Sequence, residues 1–135
     1  MASSTEDKIR AVNAYINAFC DGDAEAVVEI YAKDATVEDP VGTPLKKGHD
    51  EIRKFYIGAM ATGAKLELTG APRCAGDYVA FPFSVNMNMN GKQSLIEIID
   101  IFRVNEDGKV TESRVLPVDN VIICAGQEPF RELFD

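Results

Sequence analysis

The sequence predicts an α+β domain in which three N-terminal helices pack on a curved antiparallel sheet. Three observations carry that expectation. Apolar residues recur at spacings of three and four over roughly the first sixty positions, the period of one helix face. From Lys65 onward the period drops to two, the alternation of a half-buried strand. Turn signals then punctuate the alternating stretches, and the strongest is Asn90-Gly91. The 135 residues suffice for one domain with a substantial core, and no repeat, low-complexity tract or linker divides residues 1–135.

Each element follows from local chemistry. Ser3-Ser4-Thr5-Glu6 reads as a capping box with Ser3 as the cap. Ile9, Val12, Ile16, Phe19 and Cys20 share one helical stripe, and Tyr15 falls on it. That turns the Tyr15 ring inward and obliges its hydroxyl to find a partner. Asp21-Gly22-Asp23 ends this helix on Gly22 and opens the next on Asp23. The second helix is expected from Ala24 to Ala32, with Val27, Val28, Ile30 and Tyr31 buried. After the loop around Asp39-Pro40, a third helix is expected from about Asp50 to Met60, with Ile52, Phe55, Tyr56 and Ala59 inward.

The strands follow. Lys65 to Thr69 alternates weakly. Tyr78 to Met89 alternates cleanly and sets Val79, Phe81, Phe83, Val85, Met87 and Met89 on one face. Pro82 lacks a backbone donor, which predicts an edge position or a bulge. Lys92 to Val104 returns, Asn105-Glu106-Asp107-Gly108 turns the chain again, and Lys109 to Val115 forms the next strand, reaching Pro117. The tail holds an apolar run, Val121-Ile122-Ile123-Cys124, and a short helix is expected from Glu128.

Composition narrows the function. The formal net charge of -8 argues against nucleic acid and anionic membranes, which need a basic surface. The expected setting is the cytoplasm: the N-terminus lacks the apolar run of a signal peptide, and no stretch approaches the length of a membrane helix. Cys20, Cys74 and Cys124 are odd in number and widely spaced, the pattern of free thiols rather than of a zinc site or disulfide framework. The single histidine, His49, sits in a polar run and is expected at the surface near a helix start. Acid–base chemistry therefore falls to carboxylates, tyrosines or lysines.

Two carboxylates stand out. Pro40 pushes Asp39 into an extended or turn conformation, and a carboxylate fixed on a loop at the core's edge is a usual place for a general base. The same Asp-Pro pair is also ordinary turn chemistry. Asp100 shares a strand face with Ile96, Ile98, Phe102 and Val104. A two-residue turn at Asn90-Gly91 places Phe81 opposite Asp100 and Phe83 opposite Ile98. A carboxylate in such a patch is pushed toward its neutral form, and a neutral acid donates a hydrogen bond. Alternatively, Asp100 pairs with Arg103 or Arg53, or caps an edge at a bulge. Glu97 lies on the opposite face with Arg103, closer to an ordinary charge pair.

Tyr15, Asp39 and Asp100, together with the run Asp34-Ala35-Thr36-Val37-Glu38-Asp39-Pro40-Val41-Gly42, resemble the bacterial Δ5-3-ketosteroid isomerases of the NTF2-like superfamily. Gly22-Asp23, Phe55-Tyr56 and Ile99-Asp100-Ile101-Phe102-Arg103 extend the resemblance over residues 8–116. It implies a conical fold with a deep apolar pocket, a homodimer, no metal and no organic cofactor. It implies a 3-oxo-Δ5-steroid substrate, isomerised by moving a proton from C4 to C6 through a dienolate. Asp39 would be the base, and Tyr15 with a protonated Asp100 would donate to the dienolate oxygen. Tyr56 and Tyr31 would support Tyr15, and Phe55, Phe83, Val85, Phe102 and Leu116 would line the pocket. The chain departs from well-known members in carrying Leu116-Pro117 where they have an aromatic residue, in lacking tryptophan, and in its longer tail.

Two rivals remain on the same scaffold. One is a different enzyme, polyketide cyclase-like or epoxide hydrolase-like; epoxide hydrolysis would use an Asp-Arg-Asp arrangement to position water, with Arg103 or Arg114 in the pocket. A binding module for apolar ligands would keep Asp100 as a paired core acid.

Overall fold

The computed structural model describes residues 3–118. The expectations for Val121–Cys124 and for a helix from Glu128 lie outside the described residues. In chain order the elements are α1 (Thr5–Cys20), α2 (Ala24–Ile30), β1 (Tyr31–Glu38), β2 (Lys46–Lys47) and α3 (Gly48–Met60). The remaining strands are β3 (Lys65–Leu68), β4 (Arg73–Ala75), β5 (Tyr78–Met89), β6 (Lys92–Val104) and β7 (Val110–Pro117). The three helices and the sheet follow the expected α+β plan.

The cap of α1 is Ser4 rather than Ser3: its side chain accepts from the Asp7 N–H at 3.0 Å. Asp23 caps α2 as expected, accepting from the Ala26 N–H. Gly22, at φ +71°, supplies the left-handed turn between the two helices. The second helix stops at Ile30, two residues short of expectation. Tyr31 sits at helical spacing from Val27, so periodicity alone cannot tell a last helical residue from a first strand residue. Its extended backbone (φ -91°, ψ 144°) and its pairing with Val110 make it the start of β1.

The described residues form one seven-stranded sheet in the order β2-β1-β7-β6-β5-β3, with β4 also pairing β5. The sheet is mixed rather than wholly antiparallel, because β1 runs parallel to β7. The β5–β6 hairpin has the register its turn dictates: Phe81 opposes Asp100 and Phe83 opposes Ile98. Asn90 and Gly91 both have positive φ (54° and 78°), the requirement of a two-residue primed turn.

Pro82 lies within a central strand, not at an edge. Its carbonyl accepts from the Thr69 N–H, so its missing donor faces the same side. There the neighbouring chain passes from β3 to β4 through Gly70-Ala71-Pro72 and offers no ladder partner. A Cβ on Gly70 would stand 3.1 Å from the Pro82 ring, which would have to give by a few tenths of an ångström to admit it.

Helices pack on one face of the sheet: α3 on β1, and α1 on β3 and β5. Val12, Val27, Val37, Ile52, Val79, Phe81, Phe102 and Val104 are fully buried between the layers. Each such side chain contributes about 1.5–3 kcal/mol. This core holds the floor of the site rigid.

Candidate active site

A cavity of about 210 Å³ opens between α1, α3 and the sheet. Tyr15 and Phe19 reach it from α1, and Phe55, Tyr56 and Ala59 from α3. Phe83, Val85 and Met87 line it from β5, Ile98 from β6 and Val115 from β7. Asp39, just beyond the end of β1, is the one charged residue in this lining. Of the expected lining, Phe55, Phe83 and Val85 face the cavity. Phe102 does not: it is fully buried beneath it, against the Tyr15 ring at 5.4 Å. Leu116 does not either, because Val115 takes the inward position of β7 and alternation turns Leu116 to the outer face.

Tyr15 is held by aromatic contacts. Its ring meets Phe81, Phe83 and Tyr56 edge to face, with centroids 5.9–6.4 Å apart. Burial pushes its hydroxyl well above the usual phenol range, and a charge on Asp100 would push it further. It therefore stays protonated and is a donor. Behind it, the Tyr31 and Tyr56 hydroxyls lie 2.9 Å apart, both wholly enclosed.

Asp100 lies one layer deeper than the cavity wall, with no solvent exposure. Ile98 precedes it on the same face and Val115 opposes it on β7, and both line the cavity. Ser113 Oγ donates to Asp100 Oδ1 at 2.9 Å, whereas Oδ2 has no hydrogen-bond partner among the described residues. Burial pushes this carboxyl well above the usual range, outweighing the Ser113 bond that acts in the other direction. A neutral acid whose carbonyl oxygen accepts from Ser113 carries its proton on Oδ2, the oxygen without a partner. Neither arginine offered as its ion-pair partner reaches it. Arg53 pairs with Glu25 and Asp50, and Arg103 with Asp77 and Glu112. Arg103 is thus not the partner of Glu97 either.

Asp39 has a different environment. It is partly exposed at the cavity wall; desolvation raises its carboxyl, and Lys46 offsets part of that rise. Its loop is tied down on both sides. The Gly42 N–H donates to Glu38 Oε2 at 2.9 Å, and the Val41 N–H donates to the Val115 carbonyl at 2.8 Å. Arg114 pairs with Glu38 on the far side of the strand, 62% exposed, and points away from the cavity.

Three contributors were not foreseen. Ser113 is visible only once the β6–β7 register is known, and an irregularity between Arg103 and Val104 conceals that register. Lys46 belongs to a two-residue strand inside an apparent loop. Glu38 was read only as the neighbour of Asp39. His49 is not a free surface side chain: its Nε2 lies 2.8 Å from the Tyr31 carbonyl, at the start of α3. Among the described residues no group of three His, Cys, Asp or Glu is placed to hold a metal ion. No helix among them is long and apolar enough to cross a membrane.

Three helices packed on a mixed sheet over an apolar cavity define an NTF2-like fold. Residues 12–113 match the SnoaL-like domain family, and the chain belongs to it. It is 40% identical over 119 residues to the steroid Δ-isomerase of Nocardioides simplex, covering 85% of this chain and 94% of that one. It is 30% identical over 101 residues to epoxide hydrolase LasB of Streptomyces lasalocidi, matching 70% of this chain but only 36% of LasB. Among solved structures it superposes on SalBIII, an epoxide hydrolase/cyclase-like enzyme of pyran ring formation in the polyether salinomycin. The TM-score is 0.78 at 25% identity, over 84% of this chain and 92% of that one.

Proposed function

We propose that this chain is a steroid Δ-isomerase that converts a 3-oxo-Δ5-steroid into its conjugated Δ4 isomer. The observation that carries the reading is the contrast between two acids, Asp39 in the wall of an apolar cavity and Asp100 one layer behind that wall. Asp100 is wholly buried with Oδ2 unpartnered, and Asp39 is partly exposed on the wall with Lys46 near it. One is suited to donate a hydrogen bond, the other to take a proton. The relative from Nocardioides simplex supports the same reaction.

In this reading Asp39 takes a proton from C4. The C–H pair forms the C3–C4 double bond, and the carbonyl pair moves onto the C3 oxygen. Tyr15 and the Oδ2–H of Asp100 donate to that oxygen as its charge grows, in a site where fixed donors need no reorganisation. The C3 oxygen then returns its electrons, C6 takes the proton from Asp39, and the remaining double bond lies between C4 and C5. One proton leaves and one returns, so no cofactor enters the balance. Fixed donors set into a dry wall favour the dienolate over the ketone, which is where the rate gain arises.

The reading includes a homodimer. Leu95, Ile99 and Leu116 are exposed on the outer sheet face, and Ile99 opposes Leu116 across β6 and β7. It also includes a neutral ligand and no nucleic acid, consistent with the net charge of -8.

Epoxide opening is the rival, favoured by the likeness to LasB and SalBIII. A neutral Asp100 could protonate an epoxide oxygen while Asp39 activates water. Among the described residues, however, an Asp-Arg-Asp arrangement has no counterpart, since neither Arg103 nor Arg114 lines the cavity. Incubating the purified protein in parallel with 5-androstene-3,17-dione and with an apolar epoxide decides between them. The expected product is the Δ4-3-ketone alone; diol formation without isomerisation would reverse the assignment.

A further inference from the structure

We propose that Lys46 is a positioning residue for the reaction, the fixed counter-charge of Asp39 at the rim of the cavity. This rests on the assignment of Asp39 as the base. The placement comes from strand geometry. β2 pairs antiparallel with β1, and Lys46 lies directly opposite Val37. Opposed residues of an antiparallel pair project to the same face of the sheet. Val37 is fully buried, so this is the helix-covered face, and Asp39 follows Val37 by two residues and lines the cavity.

The Lys46 side chain lies beside the cavity, outside its lining. Its ammonium stands 4.8 Å from the centroid of the Phe55 ring, and Phe55 lines the same cavity. Among the described residues Lys46 makes no ion pair; its polar contact is a long one, 3.4 Å to the Pro44 carbonyl. The ring and that carbonyl hold the ammonium in place without cancelling its charge. The other groups around Asp39 do not compete. Glu38 is engaged by Arg114 and the Gly42 N–H, and burial shifts Asp100, Tyr15 and Tyr31 toward their neutral forms.

The physical need is plain. An apolar cavity disfavours the carboxylate that must start the reaction, and an apolar ligand would strengthen that penalty. A nearby ammonium opposes it and keeps the base ionised. A brace that merely held the loop would have no such effect on protonation.

The test uses Lys46→Met and Lys46→Arg in the full chain. The pH profile of kcat/KM is measured with 5-androstene-3,17-dione, and the Asp39 carboxyl is titrated by carbon NMR in the free protein. The acid limb and the Asp39 midpoint should both move to higher pH in Lys46→Met by roughly 0.5–1 pH unit, and return in Lys46→Arg. A midpoint that stays in place, or a rate that falls by the same factor at every pH, would overturn the proposal. If no form turns over the steroid, the NMR titration still decides the role of Lys46, while the steroid assignment fails separately.

Discussion

Ser113 Oγ donates to Asp100 Oδ1 at 2.9 Å, and among the described residues Oδ2 of the same carboxyl has no partner. The serine thereby sets which oxygen holds the proton. It also moderates the acid, because a hydrogen bond to Asp100 favours the ionised form. Ser113→Ala should push the Asp100 carboxyl still higher, yet slow the reaction several-fold because the acid can rotate. Carbon NMR of Asp100 alongside kcat checks both halves; a lowered Asp100 midpoint would contradict the first.

Asp100 also makes a stability prediction. Its folded-state pKa lies above the unfolded value, so the folded protein binds more protons across the interval between the two. Stability from this group is fully present below the unfolded value of about 3.9 and is lost as pH rises through the folded value. Asp100→Asn removes that loss. It should raise the denaturation midpoint at pH 7, and the gap to wild type should close toward pH 4. The same variant should slow isomerisation. Urea titrations at the two pH values are sufficient, and a destabilised variant at pH 7 would show that Asp100 is not held neutral.

The tyrosines should separate by depth. Tyr15→Phe removes a donor at the cavity and should cost about 10²–10³ in kcat, the usual scale for one such donor. Tyr31→Phe leaves the Tyr56 hydroxyl without its 2.9 Å partner. Its main cost should be stability, about 1–3 kcal/mol, with a smaller loss of rate. Equal rate losses in the two variants would mean that the hydroxyl chain, rather than Tyr15 itself, binds the substrate oxygen.

The base loop offers a graded test. Glu38 accepts a charge-assisted bond from the Gly42 N–H, whereas Arg114 reaches Glu38 only at 3.5 Å and is largely solvated. Exposed pairs of this kind are worth about 0–1 kcal/mol. Glu38→Ala should therefore lower kcat with little change in KM, and Arg114→Ala should do much less. Steady-state kinetics on both variants checks the order, and a larger effect at Arg114 would reverse the account of what holds Asp39.

Much of this was readable in the sequence, and the reasons differ by element. The β5–β6 hairpin was legible because Asn90-Gly91 fixes a two-residue turn, and the turn fixes every cross-strand partner, including Phe81 with Asp100. α1 and α3 were legible from their apolar stripes. β1 was not, because Lys33 and Asp34 break its alternation and its register shifts between Tyr31 and Thr36. Tyr31 was placed inside correctly, but on the wrong element. Leu116 was placed in the pocket by the resemblance, at the position where well-known members carry an aromatic residue, whereas the register of β7 against β6 turns Val115 inward beside Asp100. A slip of one residue exchanges the two faces of a strand. Lys46 could not be found from pattern, since two residues carry no period.

The most direct test of the central claim is ultraviolet absorbance after mixing the purified protein with 5-androstene-3,17-dione, with Asp39→Asn beside it. The account predicts a catalysed rise from the conjugated enone in the wild-type protein and a loss of roughly 10²–10⁴ in rate in the variant. No rise above the uncatalysed reaction, or an equal rise in both proteins, would contradict it.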